Sequence, residues 1–158
     1  MQIGVSFVSI ENARLNLRAE TEDKHFDAIS AEARESWNSD LSRILVEGGT
    51  DEQKTVFYTA LYHTLIHPNV LNDVNGGEYP AMEGGNKILK TDNTRYTVFS
   101  LWDTYRNLHQ LMTLVWPGRQ TDMVRSMIGM YEEWGWMLSG NYTDARHGQW
   151  KAILLSLS

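Results

Sequence analysis

The chain opens on an alternation. In QIGVSFVSI (Gln2–Ile10), Ile3, Val5 and Phe7 fall on one side of an extended backbone and Gly4 and Ser6 on the other, which is the period of a strand. No other segment repeats that pattern convincingly. A lone strand leaves its ladder groups unpaired, so its sheet partners are expected outside this chain. From Glu22 to Val46 the period lengthens: Phe26, Ile29, Ala33, Trp37, Leu41 and Ile44 recur every three or four residues, and Gly48 and Gly49 supply a stop. This predicts an amphipathic helix. A second helix begins at Thr50 with Gln53 in capping-box spacing, carries Val56, Phe57, Ala60, Leu61 and Leu65, and finishes by Pro68.

Between Asn69 and Thr97 the helical period disappears. Asn72, Asp73, Asn75, Gly76, Gly77, Pro80, Gly84 and Gly85 predict a long irregular connection, and loops of that length commonly carry function. A third helix is expected from Ser100 to Val115, ahead of Pro117 and Gly118, and a fourth from Thr121 to Trp134. Met123, Met127, Met130 and Trp134 form one stripe of that helix, a core pattern rather than a ligand surface. Successive helices after one open strand describe a mainly α array joined to a β domain.

Composition narrows the function classes. A hydrophobic fraction of 42% in 158 residues is enough for a core, and six Trp with seven Tyr suit both cores and sugar-binding clefts. A formal charge of −6 gives no basic field for phosphates, so nucleic acid is excluded as an expected partner. The absence of Cys removes disulfides, thiolate nucleophiles and Cys-based zinc sites. No apolar run approaches the ~20 residues of a membrane-spanning helix, and Met1 leads straight into strand-like sequence without a signal peptide.

Three constellations invite a chemical reading. His63 and His67 have the four-residue spacing of zinc ligands, but Thr64, Leu65 and Ile66 between them include no general-base Glu, so packed or capping histidines beside Pro68 are expected. LNDVNGGE is rich in oxygen ligands yet lacks the spacing and terminal Glu of an EF-hand, which favours a turn-rich loop over a calcium site. Glu132 and Glu133 are adjacent, and helix neighbours point about 100° apart, so a solvated edge is expected rather than an acid and base pair.

Four blocks, VSFVSIENARLNLRAE, FYTALYHTLIHPNVLNDVNGGEYPAM, YTVFSLWDTYRNLHQLMTLVWP and DMVRSMIGMYEEWGWM, together resemble glycoside hydrolase family 92, the α-mannosidases, across most of Met1 to Met137. That resemblance implies a secreted or periplasmic parent enzyme that removes terminal α-linked mannose from glycans with inversion, using calcium. Its architecture is an N-terminal β-sandwich followed by an (α/α)6 catalytic barrel. Residues 1–20 would then end the sandwich domain, 21–49 form a linker helix region, and 50–137 supply the first barrel helices. The missing portions of the parent chain become expected partners.

By the same resemblance, Trp102, Asp103 and Arg106 in FSLWDTYR form an edge of the mannose pocket. Asp103 would accept from sugar hydroxyls, Arg106 one turn later would orient it, and Trp102 would supply an apolar wall. The bland alternative is a surface pair beside a core Trp. The family's acid, base and calcium ligands belong to segments downstream, so no catalytic residue, metal ligand or bound calcium is expected here. A stand-alone helical carbohydrate-binding or interaction module is the alternative reading.

After Met137 a family pattern beginning PKWE gives way to LSGNYTDARHGQWKAILLSLS. Restoring one base after that codon permits PKWE, and Asn141–Tyr142 then must yield Leu and Trp150–Lys151 must yield Glu. Residues 138–158 are therefore expected to be an out-of-frame tail.

Overall fold

A computed structural model of the chain describes residues 2–81, 87–97, 99–134 and 153–157; the side chains of Trp102, Trp134 and residues 153–157 lie outside that description. The chain divides into two compact units, Met1–Glu22 with Asn69–Ser158, and Asp23–Pro68. Helices dominate, as the periodicity predicts, though several boundaries move.

In the first unit β1 (Gln2–Ser6) is shorter than the expected strand, because Ser9 caps α1 (Ile10–Thr21) by accepting the Asn12 N–H on its side chain. Helix α1 went unread in the sequence. β1 pairs antiparallel with β6 (Ile153–Leu157), Gln2 opposite Leu157 and Ser6 opposite Ile153, which corrects the expectation that its partners lie outside the chain. The missed partner is a short apolar run, ILLSL, whose strand character periodicity alone does not reveal. The faces of β1 are also inverted relative to hydropathy: Ile3 and Val5 are exposed, whereas Gly4 and Ser6 are buried. Close approach of α1 explains this, since a Cβ on Gly4 would lie 2.3 Å from the Ala13 carbonyl oxygen.

The long connection is not structureless. β2 (Asn69–Val70) pairs with β5 (Tyr96–Thr97), and β3 (Glu78–Pro80) with β4 (Ile88–Lys90), both antiparallel. Gly76 and Gly77 both take positive φ, and a Cβ on Gly77 would meet the Thr91 carbonyl oxygen at 1.9 Å, so this turn admits glycine for two reasons. The expected third helix breaks into α4 (Leu101–Thr104) and α5 (Leu108–Val115), with Asn107 non-helical at the N-cap between them. α6 (Pro117–Trp134) begins earlier than expected; Pro117 opens the helix, where its missing N–H costs nothing. Of the predicted stripe Met123 and Met130 are buried, together with Met112 and Trp116, and Met127 is half-buried, whereas the Trp134 side chain lies outside the described residues.

In the second unit the predicted helix from Glu22 starts and ends inside its expected bounds, as α2 (Phe26–Leu41). Asp23, at φ 60°, interrupts the chain before it. α3 (Asp51–Thr64) has both halves of the capping box, Thr50 with Gln53, as expected. The stripe of α2 is largely uncovered: none of its residues is buried, Phe26 is 81% exposed, and packing is local, as where Trp37 meets Tyr62 of α3 at 4.5 Å between ring centroids.

Polar bonds hold α1 and β1 to the turn-rich loop. The buried Asp73 carboxylate accepts from Ser6 Oγ at 2.6 Å, Asn12 Nδ2 at 2.8 Å and Asn16 Nδ2 at 2.7 Å, and Asn16 Oδ1 in turn accepts the Val74 N–H. Glu78 continues the network, accepting from Asn12 at 3.0 Å and Asn75 at 2.9 Å and pairing with Lys90 at 3.0 Å. Asn12, then Lys90 and Asn75, hold the Glu78 carboxyl down at about 2, from an ordinary 4.5. A folded pKa below the unfolded one stabilises fully above pH 4.5, and that stabilisation is lost as pH falls towards 2. Acid titration of unfolding should therefore be shallower in Glu78→Gln than in wild type between pH 4.5 and 2; parallel curves would contradict the assignment.

Candidate functional site

The segment Phe99–Gln120 carries the residues that sequence reading placed at a sugar edge. Ser100 precedes the single turn of α4, and its carbonyl accepts the N–H groups of Asp103 and Thr104 at 3.0 Å each. Its hydroxyl donates in a short bond to Asp103 Oδ2. Asp103 is exposed, and a carboxylate has acceptor capacity beyond the one bond at Oδ2. Arg106 is exposed too, but it does not orient Asp103: its Nε donates to Tyr105 Oη at 3.1 Å, and its guanidinium sits 5.6 Å from the Tyr105 ring centroid. The backbone accounts for that choice, because α4 ends at Thr104 and the one-turn spacing of a continuous helix is lost. The Trp102 side chain lies outside the described residues.

Sequence reading passed over the groups that frame this turn. His109 Nε2 lies 3.0 Å from Thr104 Oγ1, and Nδ1 lies 3.2 Å from Gln120 Oε1. With Gln120 Oε1 as an acceptor, Nδ1 carries the proton and Nε2 takes the Thr104 hydroxyl. The imidazole thereby braces the end of α4 against the first turn of α6.

Glu133 is the larger correction. The structure removes it from the solvated edge, which Glu132 keeps. Buried Arg95 places Nη2 3.0 and 3.1 Å from the two Glu133 oxygens, Tyr79 Oη donates to Oε1 at 2.9 Å, and the guanidinium lies 4.7 Å from the Tyr79 ring centroid. Burial, reinforced by the Glu133 carboxylate, pushes the Tyr79 hydroxyl up to about 12, so it remains a donor at ordinary pH. Arg95 Nε is buried without a hydrogen-bond partner. Breaking such a pair from one side costs about 3–5 kcal/mol, because the surviving charge stays buried. No sequence period points to Arg95; only its distance from any basic cluster marks it.

The other constellations gather no metal site. Among the described residues no group of three or more His, Asp or Glu is arranged to hold an ion. Asp73 and Glu78 already accept from amides, and His63 lies beside the Tyr62 ring at 5.6 Å. A cleft of about 480 Å³ lies between β1, α1 and residues 70–74, and its polar wall is the same satisfied Asp73 network. The described residues do not fit the calcium that the resemblance implies.

Gly129 of α6 is set by the ion pair: a Cβ there would lie 2.4 Å from Arg95 Nη1. In a free helix Gly→Ala gains about 1 kcal/mol. Here the guanidinium is pinned by Glu133 and Tyr79 and has no easy retreat, so Gly129→Ala is expected to destabilise by about 1–2 kcal/mol. Denaturant unfolding checks the sign, and a more stable variant would contradict this packing.

The comparisons agree with one another. The family model described as the glycosyl hydrolase family 92 catalytic domain matches residues 12–155, a span that includes most of the segment expected to be out of frame. No curated protein matches. Among solved structures, a family 92 inverting mannosidase from Bacteroides thetaiotaomicron VPI-5482 is 37% identical with a TM-score of 0.77, covering 84% of this chain and 18% of its own. A family 92 α-mannosidase from Bacteroides thetaiotaomicron, in complex with mannoimidazole, is 32% identical with a TM-score of 0.76, covering 89% and 19%. The family 92 glycosyl hydrolase ccman5 is 28% identical with a TM-score of 0.75, covering 81% and 17%. The chain thus spans under a fifth of the length of the structures it matches. With a family model covering most of its residues, this chain belongs to glycoside hydrolase family 92.

Proposed function

We propose that this chain supplies part of the mannose-facing wall of an inverting, calcium-dependent exo-α-mannosidase and does not hydrolyse glycosides by itself. The observation that carries the reading is the exposed Asp103 carboxylate, tied at one oxygen by Ser100, in a chain whose fold matches a mannoimidazole-bound relative. A carboxylate so tethered accepts hydroxyl hydrogen bonds at its second oxygen without turning away. Arg106 and Tyr105, held together, would form a second polar edge, and Trp102 the apolar wall.

Inversion requires a general acid and a general base about 6.5–9.5 Å apart across the bond. By family resemblance both, with the calcium ligands, belong to chain segments downstream of this one. The shifted reading frame over residues 138–158 rests on the sequence alone, where PKWE would follow Met137 in the family pattern, and the family match running on to residue 155 does not favour it. Restoring one base near codon 138 of the encoding DNA should then reopen a mannosidase-like frame, and its failure to do so would remove that part of the reading.

Purified chain incubated with calcium and an aryl α-mannoside is expected to release no phenol, while mannoimidazole at millimolar concentration perturbs Asp103 and its neighbours. Measurable calcium-dependent release would overturn the proposal. Micromolar affinity without release would instead favour the stand-alone carbohydrate-binding module.

A further inference from the structure

Both ends of the turn that carries Asp103 are tied to a single helix. On the upstream side α6 grips the chain at three successive turns: Ser126 Oγ accepts the Tyr96 N–H at 2.8 Å, Gly129 leaves room for the Arg95 guanidinium, and Glu133 binds that guanidinium. Arg95 is fixed by its backbone as well, its N–H donating to Asn72 Oδ1 at 2.7 Å and its carbonyl accepting from the Leu71 N–H at 2.8 Å. Phe99 is buried immediately before Ser100. On the downstream side Gln120, in the first turn of α6, holds His109, which holds Thr104. Between Tyr96 and Thr104 the chain has only Thr97 to Asp103 in which to place an exposed carboxylate.

We propose that the Arg95–Glu133 ion pair, with Ser126, positions Ser100–Asp103 for the sugar, so that α6 sets where the Asp103 carboxylate stands. The inference rests on the reading of Asp103 as a mannose-facing group and adds to it the device that places it. An apolar contact would let the strand slide along the helix. A carboxylate that binds one guanidinium nitrogen through both oxygens, while also taking the Tyr79 hydroxyl, fixes orientation and depth together. Neither Arg95 nor Glu133 meets the ligand in this account; both act through the backbone that follows Arg95.

The test is a ¹H–¹⁵N spectrum of the 158-residue chain with a mannoimidazole titration, for wild type, Glu133→Gln, Ser126→Ala and the exposed neighbour Glu132→Gln. The Glu133→Gln variant retains a carbonyl acceptor, and Ser126→Ala leaves the ion pair intact, so at least one variant keeps the fold. The expected result is displacement of the Ser100–Thr104 amide resonances in both variants, with mannoimidazole weakened by about tenfold, roughly the effect of one ordinary hydrogen bond. Glu132→Gln should match wild type. If the Ser100–Thr104 amides stay in place in both variants, or if shifts spread equally through Leu108–Val115, the positioning role is refuted. Wild-type chain that shows no response to mannoimidazole would instead sink the sugar reading itself.

Discussion

A buried carboxylate held, among the described residues, by neutral donors sets the arrangement of the larger unit. Moving Asp73 out of water is costly, and the chain offsets that cost with three neutral donors from the N-terminal segment, Ser6, Asn12 and Asn16. Each donor belongs to β1 or α1, while the acceptor belongs to the loop some sixty residues away. The bonds are therefore tertiary, and satisfying them requires β1 and α1 to sit on that loop in one register. Ser6 also accepts from the Val8 N–H, so the strand-to-helix corner is stiffened by the same side chain. The loop then carries β2 and β3, whose partners lead to Arg95, Glu133 and the turn bearing Asp103.

This dependence on buried polar groups explains which elements were legible in the sequence. α3 was readable because Thr50, Gln53 and Pro68 mark its ends with local chemistry. The core stripe of α6 was readable because Met123 and Met130 are apolar and periodic. α1 was not, since the side chain it buries at its start is Asn12 and its sequence ENARLNLRAE looks like a solvated connection. The buried face of β1 was not legible, for a glycine that admits a helix is indistinguishable by hydropathy from one that faces solvent. β6 was missed as its partner because an apolar pentapeptide carries no alternation.

At the candidate site the division is similar. The resemblance of FSLWDTYR to family 92 singled out Asp103 as a pocket-edge residue, and the structure shows it exposed and bonded to Ser100. Its supposed partner Arg106 turned to Tyr105, because the expected continuous helix breaks before it. Glu133 was assigned to solvent on the argument that adjacent helix residues diverge. That argument holds for the pair, yet it says nothing about a lone arginine approaching from the loop just before β5. Charges that serve tertiary structure leave little local trace. Family membership follows from the matched residues 12–155, and the chain spans under a fifth of the length of the solved structures it matches.

The most direct measurement is a double-mutant cycle on Asp73 and Asn16, with unfolding free energies for Asp73→Ala, Asn16→Ala and the double variant. The two side chains meet at 2.7 Å, and a network bond of this kind predicts coupling of about 1–3 kcal/mol. Strictly additive losses would mean that the N-terminal segment and the loop are held together by something other than the buried carboxylate.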